Sequence, residues 1–467
     1  MDVLKIENNY SWLLSNNEEV KSFIWKALRF RARDYYHSPS YRARHWDGFI
    51  DFFKKDSGRF LTGLLPEVKL ALKHLNAQYE IDDRREYFKF LYEKIDENFL
   101  SPLVLRDYQV DYINQALRNK RGIIPSPTSS GKTNMMIGIL KALPLNTPTL
   151  VLVNKKQLVE QNYDEIVKHG IKNVGRFYGD VKKTDIITCA TVQSCHLLES
   201  LLPKIKVLIV DEIHEMMSKG PKRIYAKLKN ACVRIAMSAT AFKFDGTDKG
   251  QKYEVKGWIG PMFVSHCTDD GKITTKELQE RNILSASKCV FYQIDEPPIP
   301  YHIYLDAVTC GIAENKYFHE IVRRLANLQK GRTLILVDRI THGDILNNLL
   351  PGSLWIQGKD DIETRKSVVK QLREAEGNVI AIATQQIFNT GLDVFLHSLI
   401  NAASGKADHT IIQRIGRGLR TANDKDILNY YDFIFNINEY LLDHSRKRIK
   451  ILKKQNHEVI IKETIDF

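Results

Sequence analysis

Short apolar runs alternate with helix-length amphipathic stretches over most of this chain, and the alternation divides it into three parts. Between residue 100 and about 265, the runs at 121–125, 149–153, 186–190, 207–210 and 234–238 read as strands. Helical patterning lies between them, including 134–143, which ends at Pro144. That order predicts a parallel sheet flanked by helices. The polar, Gly-rich stretch 244–260 reads as an excursion from the sheet. A second alternation starts near Arg332, with strands expected at 333–337, 353–356, 379–383 and 399–402. The proline cluster at 297–300 reads as a boundary or linker. The first 98 residues have a different pattern and form a separate small domain. The expected fold class is α/β: two parallel-sheet lobes at 99–285 and 286–467, after a small α+β accessory domain at 1–98.

Within the first alternation, Ser126-Pro-Thr-Ser-Ser-Gly131-Lys132-Thr133 joins an expected strand to an expected helix. Small residues let successive backbone N–H groups turn toward oxyanions, and the helix N-terminus adds partial positive charge. Ser129, Ser130 and Gly131 meet the size requirement, Lys132 would reach the β- and γ-phosphates of a nucleoside triphosphate, and the Thr133 hydroxyl would bind Mg²⁺. Ser126 stands where this loop pattern usually has Gly.

The run 207–210 ends in Asp211 and Glu212. Ligands of open α/β sheets lie at the carboxyl ends of strands. Asp211 is therefore expected to hold Mg²⁺, and Glu212 to orient or deprotonate the attacking water. The second alternation has no phosphate loop of its own, so it should supply a cation. Gln413-Arg414-Ile415-Gly416-Arg417-Gly418-Leu419-Arg420 fits, with Arg417 and Arg420 on one face if helical.

Charge narrows the partner. The formal net charge over 467 residues is +13, which points to a polyanion. Between Lys21 and Arg59 basic residues, among them Arg42 and Arg44, interleave with aromatics that include Tyr36 and Trp46. Basic groups can pair with phosphates while rings stack on bases or pack a small core. This segment reads as an accessory nucleic-acid-binding domain, and the charged stretch 82–86 near its end as a solvated turn. The basic run 446–450 reads as helical, either a solvated face or a phosphate contact. The six cysteines lack C-x-x-C spacing and are expected to be reduced and mostly buried. No apolar stretch approaches the ~20 residues that span a bilayer, so the expectation is a cytoplasmic protein with no membrane partner.

Read in order, 105–109, 126–133, Asp211-Glu212-Ile213-His214, Ser238-Ala239-Thr240, Ala383-Thr384 with Gly391-Leu392-Asp393, and 413–420 resemble the motif set of superfamily 2 helicases. The last of these is similar to the group that contains phage UvsW, XPB and RecG-like motors. The stretches 39–48 and 60–66 resemble the small domain preceding the motor in UvsW-type phage proteins, which suggests a tailed-phage source, T5-like, and the host cytoplasm as location. The resemblance implies two RecA-like lobes and further roles. Gln109 would recognise adenine with Arg106 nearby, and Gly391 and Asp393 would contact the nucleotide. Gln413, Arg417 and Arg420 would close on the γ-phosphate. His214, Ser238 and Thr240 would couple the nucleotide to the strand-binding face, and Thr191, Gln193 and Thr384 would contact nucleic acid. The segment 153–161 departs from the family, lacking its usual Pro-Thr pair.

These readings converge on an ATP-dependent DNA helicase that unwinds or branch-migrates forks, Holliday junctions, D-loops or R-loops, moving 3′→5′ by resemblance. The alternatives are an RNA or RNA–DNA hybrid helicase, the motor subunit of a restriction system, and a nucleic-acid clamp without turnover.

Overall fold

Continuous runs of β-branched and aliphatic residues become strands buried on both faces, while strands with alternating polar residues border solvent. The computed structural model describes residues 2–32, 34–239, 249–268, 270–300, 303–358, 360, 362–389, 395–405, 415, 419 and 427–463. Two units emerge: Met1–Ser126 with Gly131–Ile273, and Pro127–Ser130 with Thr274–Phe467.

The first unit begins with β1 (Asp2–Ile6), β2 (Tyr10–Leu14), β3 (Arg29–Arg31), β4 (Phe49–Asp51), β5 (Phe53–Lys54), β6 (Arg59–Leu61) and β7 (Tyr79–Asp83). Five of these form a sheet in the order β5-β6-β2-β1-β7, and β3 pairs separately with β4. The helices Glu18–Ala27 and Leu65–His74 close a core made of Leu4, Ile6, Leu13, Val20, Ile24, Phe53, Phe60, Val68 and Leu72. Asn17 caps the first helix by accepting from the Glu19 and Val20 amides. The α+β expectation holds here. The solvated turn expected at 82–86 is corrected in part. Asp82 and Asp83 belong to β7, because parallel pairing with Lys5 and Ile6 of β1 satisfies their backbone. Arg84 and Arg85 bind those carboxylates at 2.8 and 2.6 Å.

The same unit continues with β8 (Arg121–Pro125), β9 (Thr149–Val153), β10 (Val174–Tyr178), β11 (Val181–Lys183), β12 (Ile187–Thr191), β13 (Val207–Asp211) and β14 (Val233–Ser238). Their order is β11-β10-β12-β9-β13-β14-β8. All neighbours are parallel except β10 with β11. Every residue of β9, β12 and β14 is buried. Part of the expected excursion at 244–260 is instead the helix Lys249–Trp258. Its Gly and Lys content hid an apolar face with Val255 and Trp258 buried.

The second unit holds β15 (Ala286–Ile294), β16 (Arg332–Val337), β17 (Leu354–Ile356), β18 (Val379–Thr384), β19 (Ser398–Asn401), β20 (Ile427–Phe435) and β21 (Glu458–Lys462). Their order is β17-β18-β16-β19-β20-β15-β21, all parallel. The prolines at 297–300 follow β15 within this unit, where the Ile299 amide donates to the Ile437 carbonyl. The basic run 446–450 lies in the helix Glu439–Lys454. Its Arg448 is neither solvated nor available to a phosphate. It is buried against Asp432 at 2.9 Å. Of the six cysteines, all free, Cys267 and Cys310 are partly exposed and the others buried. No helix among the described residues is long and apolar enough to cross a membrane.

Candidate nucleotide site

Strand β8 runs straight into the loop at 126–133. The Ser126 amide donates to the Ser238 carbonyl at 3.1 Å, extending the pairing of β8 with β14 by one step. Ser126 is buried and is not among the residues with positive φ, so Ser replaces Gly there without strain. The left-handed positions fall later, at Ser129 (φ 64°) and Gly131 (φ 86°). The Ser130 hydroxyl donates to the Pro127 carbonyl at 2.7 Å and fixes the bend. Gly131 is favoured by its positive φ, and a Cβ there would meet Gln109 Nε2 at 2.2 Å and displace that amide from the loop. The helix Lys132–Lys141 then starts at once, two residues before the expected 134.

Gln109 is thereby placed against the loop. Its Oε1 accepts from the Arg106 amide at 3.0 Å at the start of the helix Asp107–Asn119. The Arg106 guanidinium donates to the Tyr108 hydroxyl at 3.2 Å.

Strand β13 delivers Asp211 and Glu212, two strands away from β8 with β14 between. Glu212 has φ 52°, a left-handed backbone that costs a non-glycine residue energy and is held by its surroundings. Its carboxylate forms an ion pair with Lys132 and accepts from the Ser238 hydroxyl at 3.1 Å. Ser238 in turn lies 2.9 Å from His214 Nδ1. With the hydroxyl proton given to Glu212, Nδ1 must carry a proton and donate to Ser238 Oγ. Burial works against the Glu212 charge, yet Lys132 and His214 outweigh it and hold the carboxyl below its ordinary value. Ser238 thus touches both halves of the site, by its carbonyl at 126 and its hydroxyl at 212.

Other expected residues lie at strand ends. Thr191 closes β12 and Thr384 closes β18, both buried, and Gln193 is exposed two residues after Thr191. Thr133 occupies the second position of its helix. Thr240, Gly391, Asp393, Gln413, Arg417 and Arg420 lie outside the described residues. Arg42 and Arg44 are exposed and Trp46 half-buried, together along one groove of the N-terminal module.

Sequence reading missed Arg121 and Arg234, which bind the N-terminal module to β8 and β14. Arg121 donates to the carbonyls of Asn8, Trp258 and Ile259 at 2.5, 2.9 and 2.9 Å. Arg234 donates to the carbonyls of Leu228 and Trp258 at 2.8 and 3.2 Å and to Asn9 Oδ1. An arginine opening each of two strict apolar runs was the available signal. Asp338 was also missed. It collects Gln385, which follows Thr384, and the Ser404 amide at 2.5 Å.

A family model described as the res subunit of type III restriction enzymes matches residues 102–243. The chain is 24% identical over 454 residues to the ATP-dependent DNA helicase uvsW of Enterobacteria phage T4, covering 90% of this chain and 87% of that protein. It is 25% identical over 395 residues to the DNA 3′-5′ translocase XPB2 of Sulfurisphaera tokodaii, covering 75% and 88%. Among solved structures, a fragment of a putative HsdR subunit of a type I restriction enzyme from Vibrio vulnificus YJ016 shares the fold. The TM-score is 0.55 at 18% identity, over 79% of this chain and 71% of that one.

Proposed function

The chain belongs to the UvsW-like superfamily 2 helicases and is an ATP-dependent DNA helicase or translocase, and from that premise we propose that it remodels branched DNA. Forks, Holliday junctions, D-loops and R-loops are the proposed substrates, in recombination, repair or replication. The protein is proposed to act in the cytoplasm, that of the host if the source is a phage.

The observation that carries the motor chemistry is the chain of contacts Lys132–Glu212–Ser238–His214. Glu212 orients and deprotonates the attacking water, with Ser238 holding one carboxylate oxygen. Lys132 has one charge to divide between Glu212 and a phosphate. As the γ-phosphate draws Lys132 over, the other carboxylate oxygen turns to the water. His214 and Ser238 register that exchange, because Ser238 is bonded to both the base and the loop strand. Gln109 and Arg106 read the adenine, and Ser129, Ser130 and Gly131 cradle phosphates. Thr133 and Asp211 offer a hydroxyl and a carboxylate, hard oxygen donors suited to Mg²⁺. Bound there, Mg²⁺ would neutralise charge on the phosphates. On the resemblance alone, Thr240, Gly391, Asp393, Gln413, Arg417 and Arg420 complete the nucleotide machinery. Thr191, Gln193 and Thr384 grip the strand, and Arg42, Arg44 and Trp46 hold a DNA arm.

A motor subunit of a restriction system is the second reading, favoured by the description of the matching family model. It requires a partner subunit on affinity capture.

The test is a panel of forked, four-way, D-loop, R-loop and tailed linear substrates of matched sequence, with ATP. Faster turnover of branched than of tailed linear DNA is expected. Equal rates across the panel would remove the branched-DNA reading.

A further inference from the structure

We propose that Gln385 and Asp338 are positioning residues that tie the strand-gripping end of β18 to the segment carrying Gln413, Arg417 and Arg420. The inference rests on the reading above, in which Thr384 grips the strand and that segment closes on the γ-phosphate. Asp338 stands just past β16, which lies between β18 and β19 in the sheet. Its carboxylate reaches past both neighbours. Beyond β18 it accepts from Gln385 Nε2, one residue after Thr384. Beyond β19 it accepts from the Ser404 amide at 2.5 Å and from the Ser404 hydroxyl. Gln385 Nε2 also donates to the Ser404 carbonyl at 3.2 Å. Gln385 therefore meets Ser404 twice, directly and through Asp338, at the sheet edge where ligands of α/β folds bind.

The chain beyond β19 is held from a second side as well. Having given its proton to Asp338, the Ser404 hydroxyl accepts from the Tyr304 hydroxyl at 3.2 Å. The Gly405 carbonyl accepts from Arg448 Nη1 at 3.1 Å. Arg448 is itself fixed by the buried Asp432 of β20. Further along, Ile415 and Leu419 are buried, and the Leu419 amide donates to the Ile415 carbonyl at 3.0 Å. The Ser285 amide, one residue before β15, donates to the Leu419 carbonyl at 2.8 Å. In sequence, Gln413, Arg417 and Arg420 thus fall within a few residues of points fixed to the second unit. Ser404 and Gly405 are where the chain leading to them is set.

Stability does not account for the link. Asp338 is exposed, so water can replace its partners, and exposed charged contacts add little to folding. Without Asp338, Ser404 keeps Tyr304 and Gly405 keeps Arg448. Basal turnover, with no strand bound, therefore does not depend on the link. What Gln385 and Asp338 add is a bridge from the residue after Thr384 to the chain that leads to the arginines. A strand that displaces the end of β18 then displaces Ser404 with it. A small displacement at a distance is enough to change how well a group meets a reacting phosphate.

The test is steady-state ATPase of the full chain, without DNA and at saturating single-stranded DNA, with urea unfolding beside it. Gln385→Met keeps the length of the side chain and removes both of its donors. It should cut the ratio of DNA-stimulated to basal turnover about tenfold, with basal turnover and the KM for ATP within about twofold of wild type. Asp338→Ala should lower the ratio in the same direction. The double variant should be no worse than Gln385→Met alone, because both changes break one link. The urea midpoint should hold in all three. An unchanged ratio in Gln385→Met, equal falls in basal and stimulated turnover, additive losses in the double variant, or a midpoint that falls in step with activity would overturn the proposal. Arg420→Ala is read in parallel. Wild-type turnover in that variant would fault the reading of the arginine segment, and a wild type that DNA does not stimulate would fault the motor reading.

Discussion

Arg121 and Arg234 stand opposite each other in register on β8 and β14, both buried. Like charges so placed repel, and among the described residues neither has a carboxylate partner. Burial pulls both guanidiniums down, Arg234 to about 10, so it keeps its charge at neutral pH. What compensates them is a set of neutral oxygens from the Leu228 and Trp258 regions and from Asn8 and Asn9. The two strands that end at the phosphate loop and at Ser238 therefore begin on the N-terminal module.

Removing one of these arginines should loosen that junction. Arg234→Met removes one donor each from the Leu228 and Trp258 carbonyls and takes the guanidinium from the buried Asn9 Oδ1, at a cost of about 3 kcal/mol. Urea unfolding of the full chain should show a lower midpoint, and limited proteolysis should release the N-terminal module faster. Wild-type resistance to both would contradict the junction's role.

Glu212→Gln should lower ATP turnover by about 10²–10⁴ while nucleotide affinity stays within a few-fold. Single-turnover hydrolysis and fluorescent-nucleotide binding separate the two effects. Loss of binding equal to the loss of turnover would show that Glu212 is a structural anchor.

Much of the motor was legible because apolar runs dominate it. Strands β8, β9, β13 and β14 were read to within one residue, β9 and β13 because a parallel strand buried on both faces is a continuous run of Val, Ile and Leu, and β8 and β14 because each keeps a short apolar centre after its arginine. Strands β15, β20 and β21 escaped notice. In β20 Asn429, Tyr430, Tyr431 and Asp432 interrupt the apolar run. Their polarity is explained by tertiary contacts, Asp432 being the buried partner of Arg448. Gln109 and Ser238 were named by resemblance, yet nothing in the sequence says that Gln109 lies against Gly131 or that Ser238 bridges two strands. The clamp of Arg121 and Arg234 was invisible for the same reason. Its partners in the N-terminal module, Asn8 and Asn9, lie more than a hundred residues away in sequence.

The second unit should carry an acid-sensitive histidine. His342 is buried and stacks on His319 at 5.0 Å between centroids. Burial, then His319, pushes its pKa down to about 3. The unfolded chain binds the proton near the ordinary value of 6.5. Stability from keeping His342 neutral is therefore full above about pH 6.5 and lost as pH falls toward 3. His342→Leu should flatten the decline in urea midpoint between pH 7 and 4.5. An unchanged slope would mean that other groups set the acid limb.

The Lys132–Glu212 pair puts the central claim within reach of one assay, steady-state ATPase with and without single-stranded DNA for wild type and Lys132→Ala. DNA should stimulate the wild type, and the variant should lose turnover by at least about 10²-fold in both conditions. Undiminished DNA-stimulated turnover in Lys132→Ala would contradict the site described here.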